Sequence, residues 1–133
     1  MLVNEQGRRT DGTRPAPRVL IMEDEFIIAL DLSDMAEDLG FQVSGPFATV
    51  VDGARAIAEQ RPDAAILDVH LADGEVFPLA DLLMGLGVPV IFHSGHADDG
   101  SLLSRYPAAR SAGKPCSAET IAGHLLQATS QRI

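Results

Sequence analysis

The chain has one cysteine (Cys116), one tyrosine (Tyr106) and no tryptophan. A single thiol excludes an intrachain disulfide and fits a reducing compartment. Long apolar runs are missing as well: none reaches the roughly 18 residues that a membrane-spanning helix requires. The opening stretch MLVNEQGRRTDGTRPAPR has arginines but no apolar segment behind them, so it does not read as a secretory signal. The expected location is therefore the cytoplasm. Cations are also scarce, with 10 Lys and Arg against 19 Asp and Glu and a formal net charge of −9. That balance lacks the basic footprint that nucleic acid needs, so the expected partners include neither nucleic acid nor membrane.

What is present is enough for one domain. At 133 residues and 46% hydrophobic, the chain can bury a core without disulfides or metal staples. Residues 1–17 hold three Arg, two Gly, two Thr and two Pro with hardly any apolar periodicity, and read as a flexible N-terminal tail. Residues 18–133 are the expected domain. Val19-Leu20-Ile21-Met22 runs straight into Glu23-Asp24-Glu25, as a buried parallel strand ending in a polar loop does. Ile28, Leu32, Met35 and Leu39 repeat at helical spacing up to Gly40. Phe41–Ser44 alternates like a strand and is expected to end at Gly45-Pro46. Thr49 is placed to cap a helix over 50–60, closed by Pro62. Ala64–Asp68 is a second apolar run ending in a carboxylate, residues 76–84 read as a helix before Gly85 and Gly87, and Val88–Phe92 as a strand before His93-Ser94-Gly95. Between 96 and 113 the pattern weakens: a helix there is expected to be short or frayed, and the strand before Lys114 (Ala108–Ala112) is poorly apolar. Ser117 can cap a last helix with Ile121, Leu125 and Ala128 on one face. Strands alternating with helices predict a doubly wound α/β fold with a parallel sheet covered on both faces.

In such a sheet, functional groups gather outside the carboxyl ends of the strands. Four of these strands end in Glu23 and Asp24, in Asp68, in Ser94 and in Lys114. Packed carboxylates repel and need a proton or a cation. Hard oxygen ligands with room for water suit Mg²⁺. With the metal in place Asp68 can stay ionised and attack phosphorus, while Lys114 adds positive charge and the Ser94 hydroxyl can donate to a phosphoryl oxygen.

VLIMEDE, AAILDVHL, VIFHSG and GKP, in that order, resemble a response-regulator receiver domain over roughly residues 18–130. The resemblance implies a five-stranded parallel sheet in flavodoxin-like order, four or five helices, and a fourth helix that is often reduced. It assigns Mg²⁺ to Glu23, Asp24, Asp68 and the backbone carbonyl of His70. It makes Asp68 the phosphoacceptor, Ser94 the residue that turns inward on phosphorylation and Lys114 the phosphate partner, followed by Pro115. Phe92-His93-Ser94-Gly95-His96, with GPFATV and FPLADLL, also resembles receivers that read Phe-Ala-Thr-Gly-Xaa-Tyr, mostly single-domain regulators paired with histidine kinases of the HWE and related groups. The implied function is that of a single-domain response regulator. A histidine kinase or phosphotransfer protein phosphorylates Asp68, and output passes through contacts with a downstream protein. It is not an enzyme beyond autophosphorylation and autodephosphorylation.

Plainer readings stand beside these. A lone Asp at a strand end is usually a turn or cap residue; Glu23, Asp24 and Lys114 are what reverse that here. Glu25 reads as a helix N-terminal charge. His70 and His96 flank the site at positions that tune phosphoryl lifetime in the family, or are loop histidines. His93 alternates away from Ser94 and reads as core or helix packing, and His124 as surface. Cys116 reads as a small buried hydrophobe. Ser111 stands where many receivers have an aromatic reporter of phosphorylation, which puts that relay in doubt. Tyr106 is a candidate for a partner face, and the Ile121, Leu125, Ala128 stripe for core. The alternatives are a pseudo-receiver that binds partners without being phosphorylated and a haloacid-dehalogenase-type phosphatase. The latter needs a second acid two residues after its nucleophile, where this chain has His70.

Overall fold

A strand whose every side chain is apolar has no face to give to water and must be covered on both sides. Val19, Leu20, Ile21 and Met22 are such a strand, each at most 1% exposed. A computed structural model, which describes residues 2–3, 9–10, 16–95, 99–114 and 117–130, shows the cover. The strands Arg18–Met22 (β1), Gln42–Phe47 (β2), Ala64–Leu67 (β3), Val90–Ser94 (β4) and Arg110–Gly113 (β5) form one parallel sheet, ordered β2-β1-β3-β4-β5. Five helices connect and flank them: Phe26–Asp38 (α1), Val50–Glu59 (α2), Phe77–Gly85 (α3), Asp99–Arg105 (α4) and Ala118–Ser130 (α5). This is the expected doubly wound, flavodoxin-like arrangement.

Successive strand residues face opposite sides of the sheet, so the core divides in two. Leu20, Met22, Leu67 and Phe92 pack with Ile57 of α2 and Leu79 and Leu83 of α3. Val19, Ile21, Ile66 and Ile91 pack with Leu32 and Ala36 of α1 and Ile121 and Leu125 of α5. The Ile121, Leu125, Ala128 stripe is thus core. Capping follows the sequence: Thr49 Oγ1 accepts from the Asp52 N–H at 3.2 Å, and Ser117 Oγ from the Thr120 N–H at 3.2 Å. Each such cap contributes about 1 kcal/mol.

Several boundaries differ from the sequence expectation. The strand expected to stop at Gly45-Pro46 runs on to Phe47. Gly45 takes φ 104°, which lets β2 bend where the β1–β2 register slips between Leu20 and Met22. The ladder then resumes with Met22 opposite Phe47, and the Glu23 N–H donates to the Phe47 carbonyl at 3.0 Å. α3 includes Gly85 as its last residue. β4 begins two residues later than expected, at Val90, and continues through His93 and Ser94. Pro89, just outside it, has no N–H to give, but its carbonyl accepts from Ala65 at 3.0 Å. β5 comprises Arg110–Gly113 rather than Ala108–Ala112. The helix expected to be short has seven residues, Asp99–Arg105. Of the expected tail, Leu2–Val3 pairs antiparallel with Arg9–Thr10, and most of the rest lies outside the described residues.

Tyr106, a candidate for a partner face, is instead 5% exposed. Its ring lies 5.4 Å from Phe92 and stacks 6.2 Å from Phe77. Its hydroxyl donates to Asp81 Oδ1 of α3 at 2.7 Å. Burial, together with the Asp81 carboxylate, pushes the phenol up to about 12, so it remains a donor at neutral pH. The Arg105 guanidinium sits 4.4 Å over the Phe77 ring and 3.7 Å from Asp81 Oδ2, binding the end of α4 to α3.

The bend in β2 depends on a missing side chain. A Cβ on Gly45 would lie 2.8 Å from the Ile21 carbonyl oxygen and 2.8 Å from the Phe47 nitrogen, both backbone atoms that cannot step aside. Gly45→Ala is expected to lower stability by about 1–3 kcal/mol in urea unfolding; an unchanged midpoint would show that β2 tolerates a different path.

Candidate functional site

Each strand-end residue is positioned by the chain that precedes it. Glu23 and Asp24 follow β1 directly, and Asp68 follows β3 directly. The Asp68 N–H donates to the Met22 carbonyl at 2.9 Å, which ties the end of β3 to the start of the acidic pair. Ser94 is the last residue of β4 and stands in register with Gly113, so its backbone neighbours the residue before Lys114. Nothing is described of the Ser94 side chain. The predicted convergence at one sheet edge therefore holds for Glu23, Asp24, Asp68 and Lys114 by side chain, and for Ser94 by backbone.

Glu23 is 3% exposed and Asp68 6%, whereas Asp24 is exposed. Ligand oxygens of these three carboxylates all lie within 4.8 Å of one another. The Lys114 ammonium reaches into the group, 3.0 Å from Glu23 Oε1 and 3.1 Å from Asp68 Oδ2. The contact to Asp68 is a directed hydrogen bond, and that to Glu23 Oε1 is a short ion pair between enclosed groups. Glu23 Oε2 accepts from the Glu25 N–H at 3.1 Å. Glu25 itself, exposed at the N-cap of α1, meets Glu23 through its backbone N–H.

The electrostatics follow from this crowding. Burial pushes the Glu23 carboxyl up to about 7; Lys114 opposes the rise and Asp68 adds to it. Burial works against the charge on Lys114, but hydrogen bonding and attraction from Glu23 and Asp68 win and hold its pKa above the usual lysine range. Three carboxylates share one ammonium, a deficit of positive charge that a cation can fill.

Of two histidines, one matches its sequence reading and one does not. His93 is core, as expected, yet its Nδ1 lies 3.9 Å from Glu23 Oε1. Neither ring nitrogen has a hydrogen-bond partner among the described residues, and burial with the nearby Lys114 charge keeps its pKa below the usual histidine value. It forms part of the wall of a cleft of about 390 Å³ with Glu25, Ile28, Asp31, Leu32, Lys114 and Ala118. His124, expected at the surface, is half-buried with Nδ1 enclosed and unpartnered, because it sits next to Leu125 on the packed side of α5. His70 is exposed, and its N–H points to Asp68 Oδ1 at a long 3.4 Å. His96, Pro115 and Cys116 lie outside the described residues.

The sequence reading missed Asp73. Its two carboxylate oxygens accept from the Val50 N–H at 2.7 Å and the Val51 N–H at 3.2 Å, capping α2 from the far side of the loop that follows Asp68. These backbone donors, Val50 first, hold its carboxyl below the usual range. An Asp five residues past Asp68 gives no local signal of a helix more than 20 residues upstream.

No protein-family model matches the chain. Among curated proteins, it is 37% identical over 100 residues to the phyllosphere-induced regulator PhyR of Methylorubrum extorquens, a match covering 73% of this chain and 37% of that protein. The chain thus spans well under half the length of that relative. The solution structure of the receiver domain of the Erythrobacter litoralis response regulator PhyR superposes with a TM-score of 0.75 at 28% identity, covering 86% of this chain and 90% of that one. A crystal structure described as the anti-anti-sigma factor PhyR of Bartonella quintana superposes with a TM-score of 0.73 at 27% identity, covering 91% of this chain and 50% of that one. The relatives and solved structures that the chain resembles are thus response-regulator receivers, and along nearly the whole of a solved receiver domain the chain has the receiver fold.

Proposed function

We propose that the chain accepts a phosphoryl group on Asp68 from the phosphohistidine of a partner histidine kinase, of the HWE or a related group, or of a phosphotransfer protein. It then signals by contact with a downstream protein. The observation that carries this reading is the Lys114 ammonium held 3.1 Å from a carboxylate that shares its corner with two more. Such a corner is built to take up anionic oxygens together with a metal. The residues fit Mg²⁺: the oxygens are hard, and they are close enough together to share one ion. Glu23, Asp24, Asp68 and the His70 carbonyl would hold it. Bound there, the cation supplies neutralisation of charge on the phosphoryl oxygens.

The chain's own groups do the rest. An Asp68 oxygen forms the bond to phosphorus as the donor's N–P bond breaks, and that electron pair stays on the imidazole nitrogen. Lys114 pairs with the phosphoryl charge, and Ser94 is assigned the hydroxyl that meets a phosphoryl oxygen. The chain is a signalling module rather than an enzyme with turnover of its own. Phe26 and Ile27, each 75% exposed at the start of α1, offer an apolar landing next to Asp24 for the donor protein. The name of the Bartonella relative describes an output exerted on proteins, and a net charge of −9 favours the same mode here over nucleic-acid binding.

Incubation with Mg²⁺ and acetyl phosphate is expected to add one phosphoryl group by intact mass. Asp68→Asn abolishes the gain, and Lys114→Ala slows it by about a hundredfold. A wild-type chain that stays unlabelled by acetyl phosphate and by kinase alike is the pseudo-receiver instead. Metal linkage gives a second check. Mg²⁺ at about a hundred times its dissociation constant stabilises the fold by about 2.7 kcal/mol, read as a rise in Tm. Asp24→Asn should remove most of that rise, and an equal rise in the variant would move the metal elsewhere.

A further inference from the structure

Tyr106 belongs to none of the machinery above, yet it touches two elements that converge on the site, β4 and α3. Its ring rests on Phe92, two residues before the end of β4 at Ser94. It also stacks on Phe77, the first residue of α3, which begins where the loop after Asp68 ends. Its hydroxyl bonds Asp81, one turn further along α3. Ser111 stands beside Phe92 in the β4–β5 ladder, and paired residues share a face of the sheet. That neighbour is small, so β5 brings no bulky ring to the side of Phe92 that Tyr106 occupies. Ser111 Oγ is itself buried without a hydrogen-bond partner.

We propose that Tyr106 is the positioning residue that couples the phosphorylation edge to the α3–α4 face, its ring following Phe92 and its hydroxyl holding or releasing Asp81. This rests on the phosphoacceptor reading of Asp68. A packed interior moves between discrete arrangements rather than stretching. A shift at the end of β4 is therefore passed to Phe92 and to the ring upon it, and the 2.7 Å bond to Asp81 is the contact that must yield. Arg105, which lies over both the Phe77 and Tyr106 rings and beside Asp81, changes its setting in the same step. The bond thus favours the resting arrangement, and by reciprocity its removal favours the phosphorylated one.

The chain supplies its own probe, since Tyr106 is the one tyrosine and there is no tryptophan. Saturating Mg²⁺ and beryllofluoride, followed by calorimetry for binding and by tyrosine emission for the ring, is expected to change the emission in step with binding. Asp81→Ala and Tyr106→Phe both remove the bond, the first at an exposed side chain and the second with the ring kept in place. Each should lower the beryllofluoride concentration for half-saturation by about fivefold, the worth of one hydrogen bond. Binding with unchanged emission, or half-saturation unmoved in both variants, overturns the coupling and leaves the phosphoacceptor reading intact. If calorimetry finds no beryllofluoride binding and acetyl phosphate adds no mass, that reading fails and the coupling falls with it.

Discussion

The repulsion among Glu23, Asp24 and Asp68 is the constraint on which this molecule is built. Nothing about a buried sheet edge favours three carboxylates within 4.8 Å, and burial alone pushes Glu23 toward its neutral form. Lys114 is what makes the arrangement tolerable, and it comes from the strand at the opposite end of the sheet from β2. Removing one partner of such an enclosed group of charges typically costs about 3–5 kcal/mol, because the remaining charges are left uncompensated. The strand order is therefore tied to the chemistry: β1 and β3 must be neighbours for the acids to meet, and β5 must end close enough for an ammonium to reach across β4.

Much of this was legible in the residues. Val19–Met22 and Ala64–Leu67 are runs with no polar face, and each ends in carboxylates. That combination specifies a buried parallel strand and its functional end at once. Thr49 and Ser117 announced two helix starts because capping is a local matter of one hydroxyl and an N–H three residues on.

What was not legible depends on contacts far apart in the chain. Gly45-Pro46 reads as a terminator, yet β2 passes through it, because a glycine that bends a strand and one that ends it carry the same letter. The alternation correctly places His93 in the core. It does not reveal that Glu23, two strands away, presents an oxygen to the same face. Tyr106 follows a short helix of weak pattern, and only the placement of Phe92, Phe77 and Asp81 around it shows that it is core.

The loop after Asp68 is fastened at several points. Ala72 donates to the Ala48 carbonyl, Val76 to that of Val69, and Asp73 clasps the first turn of α2. Fixed in this way, it acts as a wall and not a lid. If Asp68 carries the phosphoryl group proposed for it, the approach past exposed Asp24 and the head of α1 would serve incoming donor and attacking water alike.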